Sequence, residues 1–251
     1  MILINLLHNK ILKSMRNVNC LLLFVFVFTV FSCQSEKKEK NTLTKKEISE
    51  GWELLFNGKD VNNWKFFNGG AVTTGWKIID GDLYNSGVGS DHGGDIITKK
   101  IFKNFELSLE WKIDTQSNSG IFYHVKEGVV NSIFLSGPEY QLIDENWKDP
   151  IKAYQHTAAN YAMQPTLGAK TLPAGQWNTT KIVVKNPHVE HWLNGKKVVE
   201  YDLWTDKWKA QKMAGKWKDA PNYGIEKEGH IGLQDHGGLT VFRNIKIREL
   251  K

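Results

Sequence analysis

Phe105-Glu106-Leu107-Ser108-Leu109-Glu110-Trp111-Lys112-Ile113 alternates apolar and polar at every step. Successive side chains of a strand point to opposite faces, so the stretch reads as a strand with one face buried and the other solvated. Downstream segments carry the same signal. Asn118-Ser119-Gly120 leads into Ile121-Phe122-Tyr123-His124-Val125, and Lys181 to Lys185 is β-branched and apolar. His191-Trp192-Leu193 and Lys197-Val198-Val199 flank Asn194-Gly195, a pair that favours a tight hairpin because both residues tolerate positive φ. The closing stretch, Leu239 to Leu250, carries Val241, Ile245 and Ile247 among its apolar residues and is again strand-like. Only Thr205 to Gly215, rich in lysine and alanine with Trp204 and Trp208 four apart, reads as a helix. Many short strands separated by turn signals predict an all-β sandwich with one short helical insertion near 205–215, and argue against a parallel α/β fold.

The N-terminus differs in kind. Leu21 to Phe31 is an unbroken apolar run, LLLFVFVFTVF, of signal-peptide length and too short to span a bilayer comfortably. Lys10, Lys13 and Arg16 precede it without an acidic residue, and Met15 offers an alternative start. The run ends in Val30-Phe31-Ser32-Cys33, which resembles the lipobox of bacterial lipoproteins, although Phe31 is bulkier than the pattern prefers. The expectation is a signal peptide over 1–32, a lipidated Cys33 with a polar tether over 33–48, and one domain over 49–251. The tether reading rests on QSEKKEKNTLTKKE, charged and without apolar periodicity. Cys20 falls in the segment to be removed, so Cys33 is the single cysteine of the mature chain and no internal disulfide can form. The leader also takes three of the 33 basic residues and none of the 27 acidic ones. A near-balanced mature charge excludes nucleic acid as an expected partner.

The residues able to carry chemistry lie mostly in the second half. Glu139-Tyr140-Gln141-Leu142-Ile143 places Glu139 and Gln141 on one strand face and Leu142 on the other, a carboxylate and an amide side by side or simply a solvent-facing strand edge. His156 stands in a loop with Tyr154 and Tyr161, where an imidazole titrates near neutrality and serves as acid or base. Gly232-Leu233-Gln234-Asp235-His236-Gly237-Gly238 sets Asp235 and His236 among glycines that allow close backbone approach to a ligand. This pair leaves a divalent metal open as a cofactor, but two neighbouring donors without a third at fixed spacing do not define a site. Asp-His-Gly-Gly occurs twice, at Asp91 and Asp235. Arg243 is suited either to clamping a carbonyl or enolate oxygen or to a structural ion pair. The ten tryptophans serve sugar stacking or core packing. No phosphate-binding Gly-rich loop, Gly-x-Ser-x-Gly elbow or paired Cys-x-x-Cys is present.

Taken in order, Gly51-Trp52-Glu53-Leu54-Leu55-Phe56-Asn57-Gly58-Lys59-Asp60 with Trp64, Gly94-Asp95-Ile96 through Trp111, Asn118-Ser119-Gly120-Ile121, Glu139-Tyr140-Gln141, His156, the His191 to Gly195 hairpin, Pro221-Asn222-Tyr223-Gly224, and Gly229 to Gly237 followed by Arg243-Asn244-Ile245 resemble the 3-keto-disaccharide hydrolase domain family. The resemblance implies a concanavalin A-like jelly-roll sandwich and an exported lipoprotein; Gln34 after the cysteine, in place of the aspartate of inner-membrane retention, points to the outer membrane, facing the periplasm or the surface. It also implies cleavage of 3-keto-glycosides by C2 deprotonation, elimination and hydration. The substrate would come from a sugar 3-oxidoreductase. On this reading His156 is the base or acid with Glu139 as its partner. Asp235 and His236 polarise or position, while Gln141 and Arg243, with Asn118 and Tyr161, hold sugar oxygens. The loop His156 to Tyr161 departs from many relatives, which carry glycine and a bulkier apolar run there. The competing expectation is a non-catalytic carbohydrate-binding lipoprotein, since jelly rolls also serve lectins.

Overall fold

The computed structural model describes residues 39–85 and 93–251. The apolar leader, Cys33, and the Asp91-His92 half of the first Asp-His-Gly-Gly lie outside the described residues. Thirteen strands occur among those described: β1 (Glu53–Leu54), β2 (Trp64–Phe66), β3 (Trp76–Ile79), β4 (Asp82–Asn85), β5 (Ile96–Thr98), β6 (Phe105–Ile113), β7 (Asn118–Val125), β8 (Glu139–Ile143), β9 (Asn178–Lys185), β10 (His188–Leu193), β11 (Lys196–Asp202), β12 (His230–Leu233) and β13 (Thr240–Glu249). They form two antiparallel sheets, one in the order β11-β10-β9-β6-β13-β4-β3 with β1 also on β13, the other β2-β5-β12-β7-β8. The protein is an all-β, jelly-roll-type sandwich.

The strand that decides this reading lies in the middle of the larger sheet. β6 is flanked by β9 and β13, and its burial alternates strictly between buried and half-buried positions. Phe105, Leu107, Leu109, Trp111 and Ile113 enter the core, and each such side chain contributes about 1.5–3 kcal/mol when fully buried. The facing sheet supplies Ile96, Ile121, Tyr123, Tyr140, Leu142, Ile231 and Leu233 to the same core. Its opposite face is not left to solvent. Ile97, Phe122, Val125 and Ile133 pack there as a second, smaller cluster, which is why β7 is buried nearly throughout rather than alternately.

Asn194 and Gly195 take φ of 48° and 80° between β10 and β11, the positive values a two-residue hairpin turn requires. The helix expected near 205–215 is α2 (Asp206–Ala214), capped by Thr205 Oγ1, which accepts from Trp208 N at 3.2 Å, and ended at Gly215. For convenience α1 denotes Lys45–Ser49.

That first helix corrects the expectation of a solvated tether up to residue 48. Thr44 and Glu47 form a reciprocal capping box. Ahead of it, Asn41 N donates to Asn244 Oδ1 and Asn244 N to Asn41 Oδ1, both at 2.7 Å, and Lys246 pairs with Glu47. These polar side chains find partners on β13, some two hundred residues away, which a local scan for apolar periodicity does not register.

One polar network spans the core. His191 Nδ1 donates to Ala158 O at 2.9 Å, its Nε2 accepts from Tyr123 Oη at 2.9 Å, and Tyr201 Oη closes on Tyr123 Oη. β7, β10, β11 and the loop carrying Ala158 thereby meet at one neutral imidazole. Burial lowers the His191 pKa to about 4 from its ordinary 6.5. The unfolded chain therefore binds a proton that the native state refuses between these values, and stability falls as pH drops from 6.5 to 4. The group's share of that loss is about 3 kcal/mol at most. Chemical unfolding of wild type and His191→Gln across pH 4–7 should show the wild type losing stability more steeply, and parallel curves would refute this.

Candidate active site

β8 pairs with β7 so that Glu139 lies opposite Phe122, Gln141 opposite Gly120, and Ile143 opposite Asn118. Cross-strand partners share a face, so Asn118, Glu139 and Gln141 all project from the side turned away from the main core. On the other flank of β8 the chain returns through 157–161. Tyr161 N donates to Glu139 O at 3.0 Å and Ala158 N to Gln141 O at 2.8 Å, which brings Tyr161 beside Glu139. From β12 the strand runs on into Gln234, whose N–H donates to Gly120 O at 2.9 Å, and then into His236. Asn118, Glu139, Gln141, Tyr161, Gln234 and His236, with Phe134 and Lys216, line a cavity of about 160 Å³.

Glu139 is the unusual group in it. The residue is 4 % exposed, and no hydrogen bond from a described residue reaches its carboxyl. Loss of hydration raises its pKa to about 8, a rise that the Lys216 charge opposes and the Asp95 charge reinforces. The carboxyl rests where a side chain on residue 120 would stand. A Cβ at Gly120 would overlap Glu139 Oε1 and come within 3.0 Å of Cδ. Nearby, Asn118 Oδ1 and Gln234 Oε1 are buried acceptors without a donor among the described residues, a state that normally costs about 1–3 kcal/mol per group.

Lys216 is placed by aromatic packing. Trp217, buried, stacks on Tyr223 at 4.2 Å between ring centroids, and Tyr223 lies parallel to Trp208 of α2 at 6.2 Å. Lys212, buried in α2, donates to Tyr223 O at 2.9 Å and Pro221 O at 3.2 Å, so helix and loop are clamped together. The Lys216 ammonium then lies over the rings of Tyr161 (4.4 Å), Trp217 (4.7 Å) and Phe134 (5.7 Å).

Three expected site residues are elsewhere. His156 does not reach Glu139; its Nδ1 meets Glu145 Oε2 at 2.7 Å. The antiparallel register explains this, because Tyr161 is level with Glu139 whereas His156 lies past the end of β8, where Glu145 Oε1 also accepts from Thr157 N at 2.9 Å. Arg243 belongs to β13 in the other sheet, where it binds Glu110 at 2.7 Å and stacks on Trp177 at 3.8 Å, the structural ion pair. Asp235 is behind the pocket wall. Its Oδ2 accepts from Gly93 N at 2.9 Å and Gly94 N at 3.1 Å, and its own N–H donates to Asp95 Oδ1 at 2.9 Å. The second Asp-His-Gly-Gly thus holds the glycines of the first.

A larger groove of about 610 Å³ runs along α2 beside His188, Glu200 and Trp208, but it shares no lining residue with this cavity. His188, Glu190 and Glu200 are the one group among the described residues whose donor atoms gather within 4.8 Å as a metal would need. Lys197 holds both glutamates, at 2.9 and 2.6 Å, and the group is on the β10–β11 hairpin. Asp235 and His236 form no such cluster among the described residues.

Residues 51–248 match the model of the 3-keto-alpha-glucoside-1,2-lyase-like domain. The chain belongs to this family. A Bacteroides thetaiotaomicron protein named 3-keto-disaccharide hydrolase is 35 % identical over 248 residues, spanning 88 % of this chain and 86 % of the relative. Two solved Parabacteroides distasonis proteins, both provisionally described as glycosyl hydrolases, share the fold. One is 42 % identical with a TM-score of 0.78, covering 85 % of this chain and 100 % of its own. The other is 30 % identical with a TM-score of 0.61, covering 79 % and 99 %.

Against this lyase-like family background, sequence reasoning missed Phe134 and Lys216 and gave Gln234 no role. Lys216 stands in Lys-Met-Ala-Gly-Lys-Trp-Lys among other lysines, and only the adjacent Trp217 hints at an anchored position.

Two outcomes follow from the packing of Glu139. Gly120→Ala should push the carboxyl out of place and cut turnover at least tenfold while the far-ultraviolet circular dichroism stays native. Because the native pKa exceeds the unfolded one, ionisation of Glu139 costs stability as pH rises through about 8. Glu139→Gln should therefore melt higher than wild type at about pH 9, with the gap closing near pH 4.5.

Proposed function

We propose that the domain cleaves glycosidic bonds of 3-keto-sugars, with Glu139 as the base that removes the C2 proton. The observation that carries this reading is the carboxyl buried beside a 160 Å³ pocket with its pKa raised to about 8. An ordinary glycosidase needs two carboxyl groups flanking the scissile bond. Among the described residues lining this pocket there is one. A single carboxyl suffices when the substrate carries a ketone at C3, because the ketone acidifies the C2 proton. A base whose pKa approaches neutrality takes such a proton far more effectively than an ordinary carboxylate.

The steps balance as follows. Glu139 accepts the C2 proton and the electron pair moves onto the C3 oxygen, giving an enediolate. Its collapse forms the C1–C2 double bond and breaks the bond from C1 to the glycosidic oxygen, which leaves with a proton. Water then adds across the double bond, hydroxyl at C1 and hydrogen at C2, for net hydrolysis. His236, at the exposed rim of the pocket, is placed to protonate the leaving oxygen. Sugar hydroxyls supply the donors that Asn118 Oδ1 and Gln234 Oε1 lack, and Gln141 and Tyr161 complete the wall. The name of the Bacteroides relative supports the substrate class. Such a substrate requires an oxidation at C3 beforehand, so a sugar 3-oxidoreductase is the expected functional neighbour. The apolar run ending at Cys33 supports export as an outer-membrane lipoprotein, and intact-mass measurement of the membrane fraction should find a lipidated Cys33 at the mature N-terminus.

The test is turnover of a 4-nitrophenyl 3-keto-glucoside. kcat/KM should rise with pH and level off above about 8. Glu139→Gln should lose at least a hundredfold, and His156→Ala should stay within threefold of wild type. Binding of the glycoside without release of nitrophenol would instead mark a carbohydrate-binding module.

A further inference from the structure

We infer that Lys216 is a second catalytic residue, the cation that receives the negative charge on the C3 oxygen while Glu139 takes the C2 proton; the inference rests on the 3-keto-glycoside reading above. Three observations carry it. The ammonium is on the pocket wall in common with Glu139, and its charge acts on that carboxyl. It is held over the faces of three rings, Tyr161, Trp217 and Phe134. No salt bridge to Lys216 occurs among the described residues, which it shares with lysines such as Lys112 and Lys227, each over a single ring, so the three-ring cage on the pocket wall is what marks it out.

Lys216 is exposed, and what distinguishes it is an ammonium held over three rings on the pocket wall instead of by a carboxylate. Aromatic faces attract a cation without neutralising it and without donating or accepting a proton, so the charge is held in place yet still available to an anion. A carboxylate partner in the same position would cancel it. The reaction needs such a charge. Enolisation moves a full negative charge onto one oxygen, and a fixed cation at that oxygen stabilises the transition state more than the neutral ketone. His236 and Lys216 are both exposed at the rim, but of the two only Lys216 is held over aromatic faces among the described residues. Glu139 and Lys216 then form a pair in which the proton leaves toward one and the electrons toward the other.

The geometry also accounts for how Lys216 is kept there. Its neighbour Trp217 is 1 % exposed and fixed in the Trp208–Tyr223–Trp217 stack, with Nε1 donating to Tyr161 O at 3.3 Å. The same peptide region presents Tyr161 to the pocket, so cage and base share a support.

Two substrates separate the steps: the 4-nitrophenyl 3-keto-glucoside, and 1,5-anhydro-3-ketoglucitol, which has no leaving group and reports only exchange of its C2 hydrogen in deuterium oxide. At about pH 9, where the base is largely ionised, Lys216→Met should lower kcat for cleavage and the exchange rate together by a hundredfold or more, with KM within threefold. Lys216→Arg should recover at least tenfold of that loss. The acidic limb of the Lys216→Met pH profile should also move upward, since the cation no longer favours the Glu139 carboxylate. Melting temperature and far-ultraviolet circular dichroism establish that the variants are folded. Retention of kcat within threefold in Lys216→Met, a loss confined to KM, or lost cleavage with intact C2 exchange would each overturn the assignment. A wild-type protein that neither exchanges nor cleaves would overturn the 3-keto-glycoside reading itself, and this proposal with it.

Discussion

A carboxyl group taken out of water without a hydrogen bond to replace it is the constraint around which this molecule is arranged. Desolvation alone makes such a group hold its proton near neutrality, and the protein can maintain that state only if the surrounding chain does not relax. The support comes from several directions. The β7–β8 register brings a glycine under the carboxyl, the returning 157–161 segment covers its flank, and the Trp217 stack closes the far side. Each is ordinary packing, and together they fix one carboxyl in an environment it would not choose.

The sandwich makes this affordable through its remaining polar groups. His191, Tyr123 and Tyr201 satisfy one another in the core, and Asp235 is engaged by the amides of Gly93 and Gly94. At the pocket, the acceptors of Asn118 and Gln234 have no donor among the described residues, and Glu139 is buried beside them.

Much of this was legible from local pattern. The alternation of Phe105 to Ile113, the Asn194-Gly195 turn and the shared face of Glu139 and Gln141 each depend on residues one or two apart, where the chain's own geometry decides. What was not legible depends on register between distant segments. His156 and Glu139 look like partners in a linear scan, but antiparallel return sets His156 against Glu145. Arg243 follows the Asp235-His236 stretch closely in sequence yet lies in the opposite sheet, because β13 crosses over after β12. Lys216 was invisible for a different reason: its distinction is the rings around it, and two of the three come from other parts of the chain. The helix at Lys45 was missed because its stabilising partners, Asn244 and Lys246, are at the other end of the sequence.

The stacked column of Trp208, Tyr223 and Trp217 has an optical meaning as well as a mechanical one. An indole whose face bears an ammonium ion sits in a strong local field, and its emission energy depends on where that charge stands. Trp217 therefore watches Lys216 from inside the fold, and a ligand that draws the ammonium toward itself changes the field at a ring that is otherwise shielded from solvent. The protein carries a native reporter of charge movement in its pocket, readable without a label and before any bond is broken.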